Sequence, residues 1–399
     1  MNRHTFFKSC VYTFLSLAIS SAYSGSLTTS GQGSRALSMG GAFTAVADDG
    51  SAIYYNPAGI SQIAGSEIML GTAHGRPDIT YKTPSGAKEK STKDWLGLWL
   101  FATHHFNDQL SGGIGIYSPY ARDAEFSADL ANFFAAQKST IYRLDISPVL
   151  SFKVNPHYSV AGGLVLGYSE ANLSLPSGPT SRIKDSMTGW GLGGIVSVLI
   201  STNDKYKLGL TYRSRMKTEY SGYRQLQTLA TVTKSDATAT EKWPASAGLG
   251  VCWLASSKLK LSLDADWTQW SYVDKVITKT DTLGNSTTIL DQRNTWDFRI
   301  GGEWRIRPSW YLRAGFSHIL HSTPSTRIIP SQADTDGTGY DFGVGKKWKD
   351  WSIDFAYEYA TTDTVKATDN AYGFTGNYQI QQQIIALTAS YHYRSPTKY

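Results

Sequence analysis

Beyond its first two dozen residues, this 399-residue chain lacks any long apolar run. A transmembrane helix needs about 20 consecutive apolar residues, so a helical membrane bundle is excluded. The mean hydropathy of −0.28 agrees. Charge is scarce too, at 18% of residues, while aromatics reach 13%. A chain so rich in aromatics and so modest in net charge is not a disordered one. Cysteine is nearly absent: Cys10 lies in the N-terminal apolar run, which leaves Cys252 without an internal disulfide partner. What is plentiful is Tyr (24), Trp (12) and Gly (37). These features leave a β-rich chain, either a secreted β protein or a membrane β-barrel.

The N-terminus points to export. Arg3, His4 and Lys8 precede the apolar run Cys10–Ile19, and Ala22 and Ser24 stand at −3 and −1 before Gly25. This is the pattern of a secretory signal peptide over residues 1–24, too short and wrongly flanked for a spanning helix. Its removal takes away Arg3 and Lys8, so the formal charge of +6 falls by two.

From Ser66 onward, apolar and polar residues alternate in segments of the length a tilted strand needs to cross a bilayer. Leu259, Leu261, Leu263, Ala265 and Trp267 share one face, with Lys260, Ser262, Asp264 and Asp266 on the other. Aromatics sit near the ends of such apolar stripes, as interfacial girdles require. Fourteen segments begin near Glu67, Asp94, Leu110, Ile141, Tyr158, Thr188, Tyr206, Glu241, Lys258, Trp296, Trp310, Gly339, Trp351 and Gln381. Six short polar connections alternate with long ones, including 120–140, 176–187, 221–240, 271–295 and 321–338. Short periplasmic turns and long extracellular loops produce that alternation, and an even strand count suits a bacterial barrel. The fold expected over residues 66–399 is all-β, a 14-stranded antiparallel transmembrane β-barrel.

Two segments do not suit the wall. Residues 25–65 are too rich in Gly and Ala to face lipid and too apolar for a free tail. They read as a compact lumenal plug or a periplasmic linker. Within them, 36–47 could form a short helix ended by Asp48–Gly50, with a turn at Asn56-Pro57. Residues 124–137 place Phe126, Leu130, Phe133 and Phe134 on one helical face. Such a helix either shapes an apolar entrance or packs on neighbouring loops.

Arg35-Ala36, Asp48-Asp49 and Asn56-Pro57-Ala58-Gly59 together resemble the hatch of the FadL family. The resemblance continues through Tyr120–Phe126, Leu210–Ser214, Trp267–Ser271, Ile329-Pro330 and Tyr391–Tyr393. It spans nearly the whole mature chain. That family comprises outer-membrane transporters of long-chain fatty acids, with relatives that take up aromatic hydrocarbons. The resemblance implies a barrel plugged by an N-terminal hatch over 25–65, with Arg35, Asp48, Asn56, Pro57 and Ala58 in gating. It also implies a hydrophobic cargo that leaves sideways at a kink in strand three, in the bacterial outer membrane, through a monomer bathed in lipid and lipopolysaccharide.

The residues offer a reason for a kink. Pro119 has no N–H for the ladder, with Gly113 and Gly115 just before it and Ala121 where the family tends to have glycine. Pro119 could equally mark the strand end. Ile195 and Leu199, apolar on inward positions, could line a greasy pocket or pack on the plug. A carboxylate head group would want a basic partner, and Arg182 and Lys184 lie in a long loop; the stretch after Tyr168 lacks the family's lumenal Arg.

Catalysis has little to stand on. The histidines are scattered, no G-x-S-x-G or Walker A run occurs, and Gly31-Gln32-Gly33 follows no strand. The basic residues are dispersed among acidic ones, unlike a nucleic-acid footprint. The expectation is a transporter with no metal, cofactor or catalytic site. An open porin for polar solutes and a surface adhesin are the rival classes.

Overall fold

The computed structural model describes residues 28–126, 137–178, 180–202 and 204–393. The segment read as a signal peptide therefore lies outside the described residues, as do Leu130, Phe133 and Phe134.

Fourteen antiparallel strands form the wall. They are β1 (Ser66–Lys82), β2 (Lys88–Ser91 and Trp95–His105), β3 (Leu110–Phe126), β4 (Gln137–Asn155), β5 (Tyr158–Gly178) and β6 (Ser181–Ser201). Next come β7 (Tyr206–Arg213 and Met216–Thr228), β8 (Val232–Trp243 and Ser246–Leu254), β9 (Leu259–Thr268 and Lys275–Thr280) and β10 (Ser286–Ile289 and Thr295–Arg307). The wall ends with β11 (Trp310–Ile319), β12 (Gly337–Lys347), β13 (Trp351–Thr362 and Val365–Ala367) and β14 (Gly376–Tyr393). Each strand pairs with the next, and β14 returns to β1 in a register running from Ser66 opposite Tyr393 to Lys82 opposite Asn377. Closure satisfies the backbone N–H and C=O groups that lipid cannot.

The alternation read from sequence becomes inside and outside. Leu263, Phe298 and Ile300 project outward, about half exposed, while Ser262, Asp264 and Asp297 are buried inward. A bilayer covers the first set; the second meets the lumen's contents.

In three of the expected loops most of the described residues are strand. Residues 120–126 with 137–140, 176–178 with 181–187, and 221–228 with 232–240 continue the ladders of β3–β8, as in Leu175↔Ile183 and Thr238↔Ser221. Above the membrane the outer face turns polar, so the hydropathy signal fades while the ladder carries on. Residues 321–338 do form an irregular loop, around a short 3-10 turn at Pro330–Gln332.

The segment Thr28–Gly65 lies against the inward faces of the wall. Its helices are single turns, Ser34–Leu37 and Ala52–Tyr55, followed by a 3-10 helix at Pro57–Gln62. The longer helix expected over 36–47 does not form. Gly40 and Gly41 adopt φ of 66° and 74°, which breaks the helical path, and a Cβ on Gly40 would sit 2.8 Å from the Phe316 carbonyl oxygen. The chain there is pressed against β11 too closely for any side chain.

Candidate functional site

The lumenal segment is tied to the wall at several points by buried and half-buried groups. Arg35 donates from Nε and Nη2 to both oxygens of Glu303 on β10, at 2.7 and 3.0 Å. Its Nη1 reaches Asp48 at 2.6 Å and Asp49 at 3.2 Å. Lys260 of β9 bridges Asp48 (2.8 Å) and Glu303 (3.4 Å), and Arg313 of β11 joins Glu303 (2.8 Å) to Asp354 of β13 (2.6 Å). Seven side chains thus form one ionic cluster joining plug to wall, with Glu303 at its centre. Burial opposes ionisation of Asp48, yet Arg35, Lys260 and Lys207 outweigh it and hold that carboxyl well below the usual range. Burial pushes Asp49 upward despite Arg35, so the two neighbours differ in how firmly they carry charge.

A second anchor is Asn56, which is fully buried. Its side-chain oxygen accepts from Ala58 N at 3.1 Å, capping the 3-10 helix opened by Pro57. Its amide donates to Thr44 O (2.8 Å) inside the segment and to Val198 O (3.1 Å) on β6. Ala58 N also donates to Ser197 Oγ at 2.9 Å. Asn56 to Ala removes the donors for two carbonyls, a loss of about 1–3 kcal/mol where a buried group is left unpaired. The substitution is expected to alter cargo uptake while heat-modifiable migration in gels, the mark of a folded barrel, stays unchanged. Unaltered uptake would remove Asn56 from the mechanism.

β3 parts from β2 above Ile116 while staying paired with β4. Its ladder with β2 stops at Leu100↔Ile116, and its register with β4 slips between Tyr117↔Asp145 and Tyr120↔Arg143. Every residue from Tyr117 to Ala124 is buried, so the inside–outside alternation is lost there. The lumenal segment takes over the missing pairing: Thr29 N donates to Pro119 O at 3.0 Å, and Gln32 Nε2 to Ser118 O at 2.8 Å. Opposite, Trp95 and Trp99 of β2 turn inward and are buried. Gly113 and Gly115 lie below the bulge in regular ladder, where a Cβ would come within about 3 Å of Ile53 of the plug. Their smallness admits Ile53. Ala121 is an ordinary ladder residue opposite Tyr142.

Above the plug lies a cavity of about 540 Å³ lined by Ile141, Met187, Ala239, Trp243, Trp270 and Val276 among others. Tyr120, just past the bulge, packs against Trp243 and Trp270 at centroid distances of 5.0 and 5.9 Å. Arg143 stacks on Tyr120 (4.4 Å) and is held by both oxygens of Asp145 at 2.8 Å. The cavity floor and the kink are therefore one packed unit. Below the plug, a cavity of about 710 Å³ is lined by Arg35, Asp48, Lys260, Glu303 and other charged groups. The apolar chamber faces outside and the charged one faces the periplasm.

The other residues singled out from sequence fall elsewhere. Ile195 and Leu199 point inward and are buried, Ile195 in one cluster with Ile53 and Ile60 of the plug, but neither lines the apolar cavity. Phe126, Arg182 and Lys184 border a separate groove near the extracellular rim. Sequence reading missed three arginines that line the cavity, Arg122 on β3, Arg224 and Arg327. Arg224 is committed to Asp185, with two bonds of 2.7 Å. Arg327, in the loop after β11, makes no ion pair among the described residues, its Nε is unpartnered, and Tyr372 lies beneath it at 5.9 Å. Their inward aim could not be read from hydropathy, because all three sit in stretches taken for loops.

A closed 14-stranded outer-membrane barrel, filled by its own N-terminal segment below an apolar chamber, defines a class of transport protein. The chain belongs to the family of outer membrane protein transport proteins (OMPP1/FadL/TodX), whose pattern matches residues 16–393. It is 23% identical over 391 residues to the long-chain fatty acid transport protein of Escherichia coli K12, covering 83% of this chain and 86% of the relative. It is 24% identical over 382 residues to a 47 kDa outer membrane protein of Pasteurella multocida, covering 84% and 89%. In fold it is similar to a Pseudomonas aeruginosa FadL homologue (TM-score 0.81, 18% identity, 92% and 100% coverage) and to the P. putida toluene transporter TodX (0.75, 18%, 92% and 100%).

Proposed function

We propose that the protein takes up long-chain fatty acids or similarly hydrophobic molecules by diffusion, through the apolar chamber and sideways out of the wall at β3. The observation that carries this reading is the chamber itself, mostly apolar, above a plug, with its floor packed on the strand that parts from β2. An alkyl chain gains about 0.8 kcal/mol per buried CH₂, so release into water through the charged lower cavity would be opposed at each carbon. Movement into lipid between Trp95–Trp99 and Tyr117–Ala121 avoids that cost. Rearrangement of the plug, at Thr29–Gln32 in particular, would clear the way. The reading needs no catalytic group, cofactor or second subunit.

Arg327 favours an acid over a neutral hydrocarbon, the cargo in the names of several structural neighbours. A charged hydrogen bond contributes about 1.5–3 kcal/mol, roughly ten- to a hundredfold in affinity. Arg327→Gln is expected to weaken oleate uptake by that order and to leave toluene uptake unchanged. Equal uptake of oleate by the variant and the wild type would refute the acid assignment.

A further inference from the structure

We propose that the outer face of β7–β9, just above the upper aromatic girdle, binds the phosphates of lipopolysaccharide. The location follows from register and rise. Tyr206 is exposed at the lower end of β7, and Arg215 stands nine residues (215 minus 206) further on. At about 3.3 Å per residue and a tilt near 40°, that is roughly 23 Å, the height of the apolar band. On β6 the exposed Trp190 and Leu192 flank Gly191, which pairs with Thr218, so Lys217 emerges at girdle height. Trp267 and Trp296 pair with each other one step below Thr268 and Gln269.

At this level four cations gather on the outer face. Arg215 and Lys217 are exposed, and Lys217 is directly opposite Lys242 across β7–β8. Tyr272, in the insertion within β9, lies 4.4 Å from the Arg215 guanidinium and 5.1 Å from Lys242 Nζ. Arg215 Nε is aimed by Gln269 Oε1 at 2.8 Å, and Lys275 follows on β9. Among the described residues only two acids stand nearby: Asp274 takes Lys242 at 2.6 Å, and Glu219 accepts from the Thr240 hydroxyl at 2.7 Å. Among the described residues Arg215, Lys217 and Lys275 form no ion pair, so the patch holds more positive than negative charge. Like charges are not gathered across a ladder without loss, and a guanidinium fork matches a phosphate oxygen pair.

The partner must combine phosphates at headgroup height with acyl chains below them. Directly beneath the patch the wall presents exposed Leu192, Tyr212, Leu210 and Leu249. Bisphosphorylated lipid A fits both halves: its acyl chains cover the apolar wall while its phosphates meet Arg215, Lys217 and Lys275. Basic residues at a membrane surface attract anionic lipid.

The test titrates detergent-solubilised full-length protein with bisphosphorylated lipid A and with lipid A stripped of phosphate, read by native mass spectrometry. The double variant Arg215→Gln/Lys217→Gln is expected to bind bisphosphorylated lipid A about twenty-fivefold more weakly, from about fivefold per cation. It should match wild type on the stripped lipid. Lys258→Gln/Lys349→Gln, two exposed lysines at the opposite rim, should bind as wild type does. Equal loss in that control, no loss in the first variant, or equal wild-type affinity for the stripped lipid would overturn the site. Displacement of lipid A by millimolar inorganic phosphate would overturn the lipid assignment, leaving a free-anion site.

Discussion

Glu303→Gln should turn a nearly closed barrel into a conducting one. Glu303 accepts from Arg35 and Arg313 and lies within ionic reach of Lys260, with only 5% of its side chain exposed. Neutralising it leaves Arg35, Arg313 and the half-buried Lys260 to share Asp48, Asp49 and Asp354. Breaking a buried ion pair by removing one partner destabilises by about 3–5 kcal/mol. The wall itself is secured by a closed ladder, so the loss falls on the contact between plug and wall. Planar-bilayer recordings should show low conductance for wild type and frequent, larger openings for the variant, with both proteins still heat-modifiable. Identical conductance would mean that the ionic cluster does not hold the plug. Large, ohmic, stable pores in the wild type would remove the plug from the account altogether and favour a porin.

Filling the chamber should cut uptake sharply without opening the barrel. Ala239 lines the cavity from β8 and is buried on its inward face. Ala239→Trp places an indole in space the cargo would occupy, displacing two or three methylenes' worth of burial. At about 0.8 kcal/mol each, that is about 2 kcal/mol, or some thirtyfold in affinity. Uptake of radiolabelled oleate should fall by this order while conductance remains as low as in wild type. The pairing of results matters: Glu303→Gln changes conductance through the plug, and Ala239→Trp changes uptake through the cavity. Unchanged oleate uptake in Ala239→Trp would show that cargo does not pass through this chamber.

Much of the architecture was legible because a membrane wall obeys a two-residue period. Leu261, Leu263 and Asp264 announce their faces without reference to any distant residue. The plug's own anchors were legible for another reason: Arg35, Asp48 and Asn56 sit in short motifs that resemble the family's hatch. Their partners were not. Arg35 meets Glu303 across a separation of 268 residues, and nothing near Glu303 in sequence marks it as the hub. Its inward parity narrows the choice only to one face of β10. The chamber was hidden for a third reason. Ala239, Trp243 and Arg224 lie where β7 and β8 rise above the bilayer, and there the outer face is polar, so the alternation that identifies strands is lost. Gly113 and Gly115 show the reverse case, a small-residue signal that was real but serves Ile53 of the plug.

The central claim is that a hydrophobic molecule occupies the chamber above the plug. Mass spectrometry of ligand retained by protein extracted gently from its own membrane tests this most directly, with Ala239→Trp prepared in parallel. The account predicts a long-chain fatty acid near one per chain in the wild type and its loss in Ala239→Trp. An empty wild-type chamber, or equal ligand in both proteins, would contradict it.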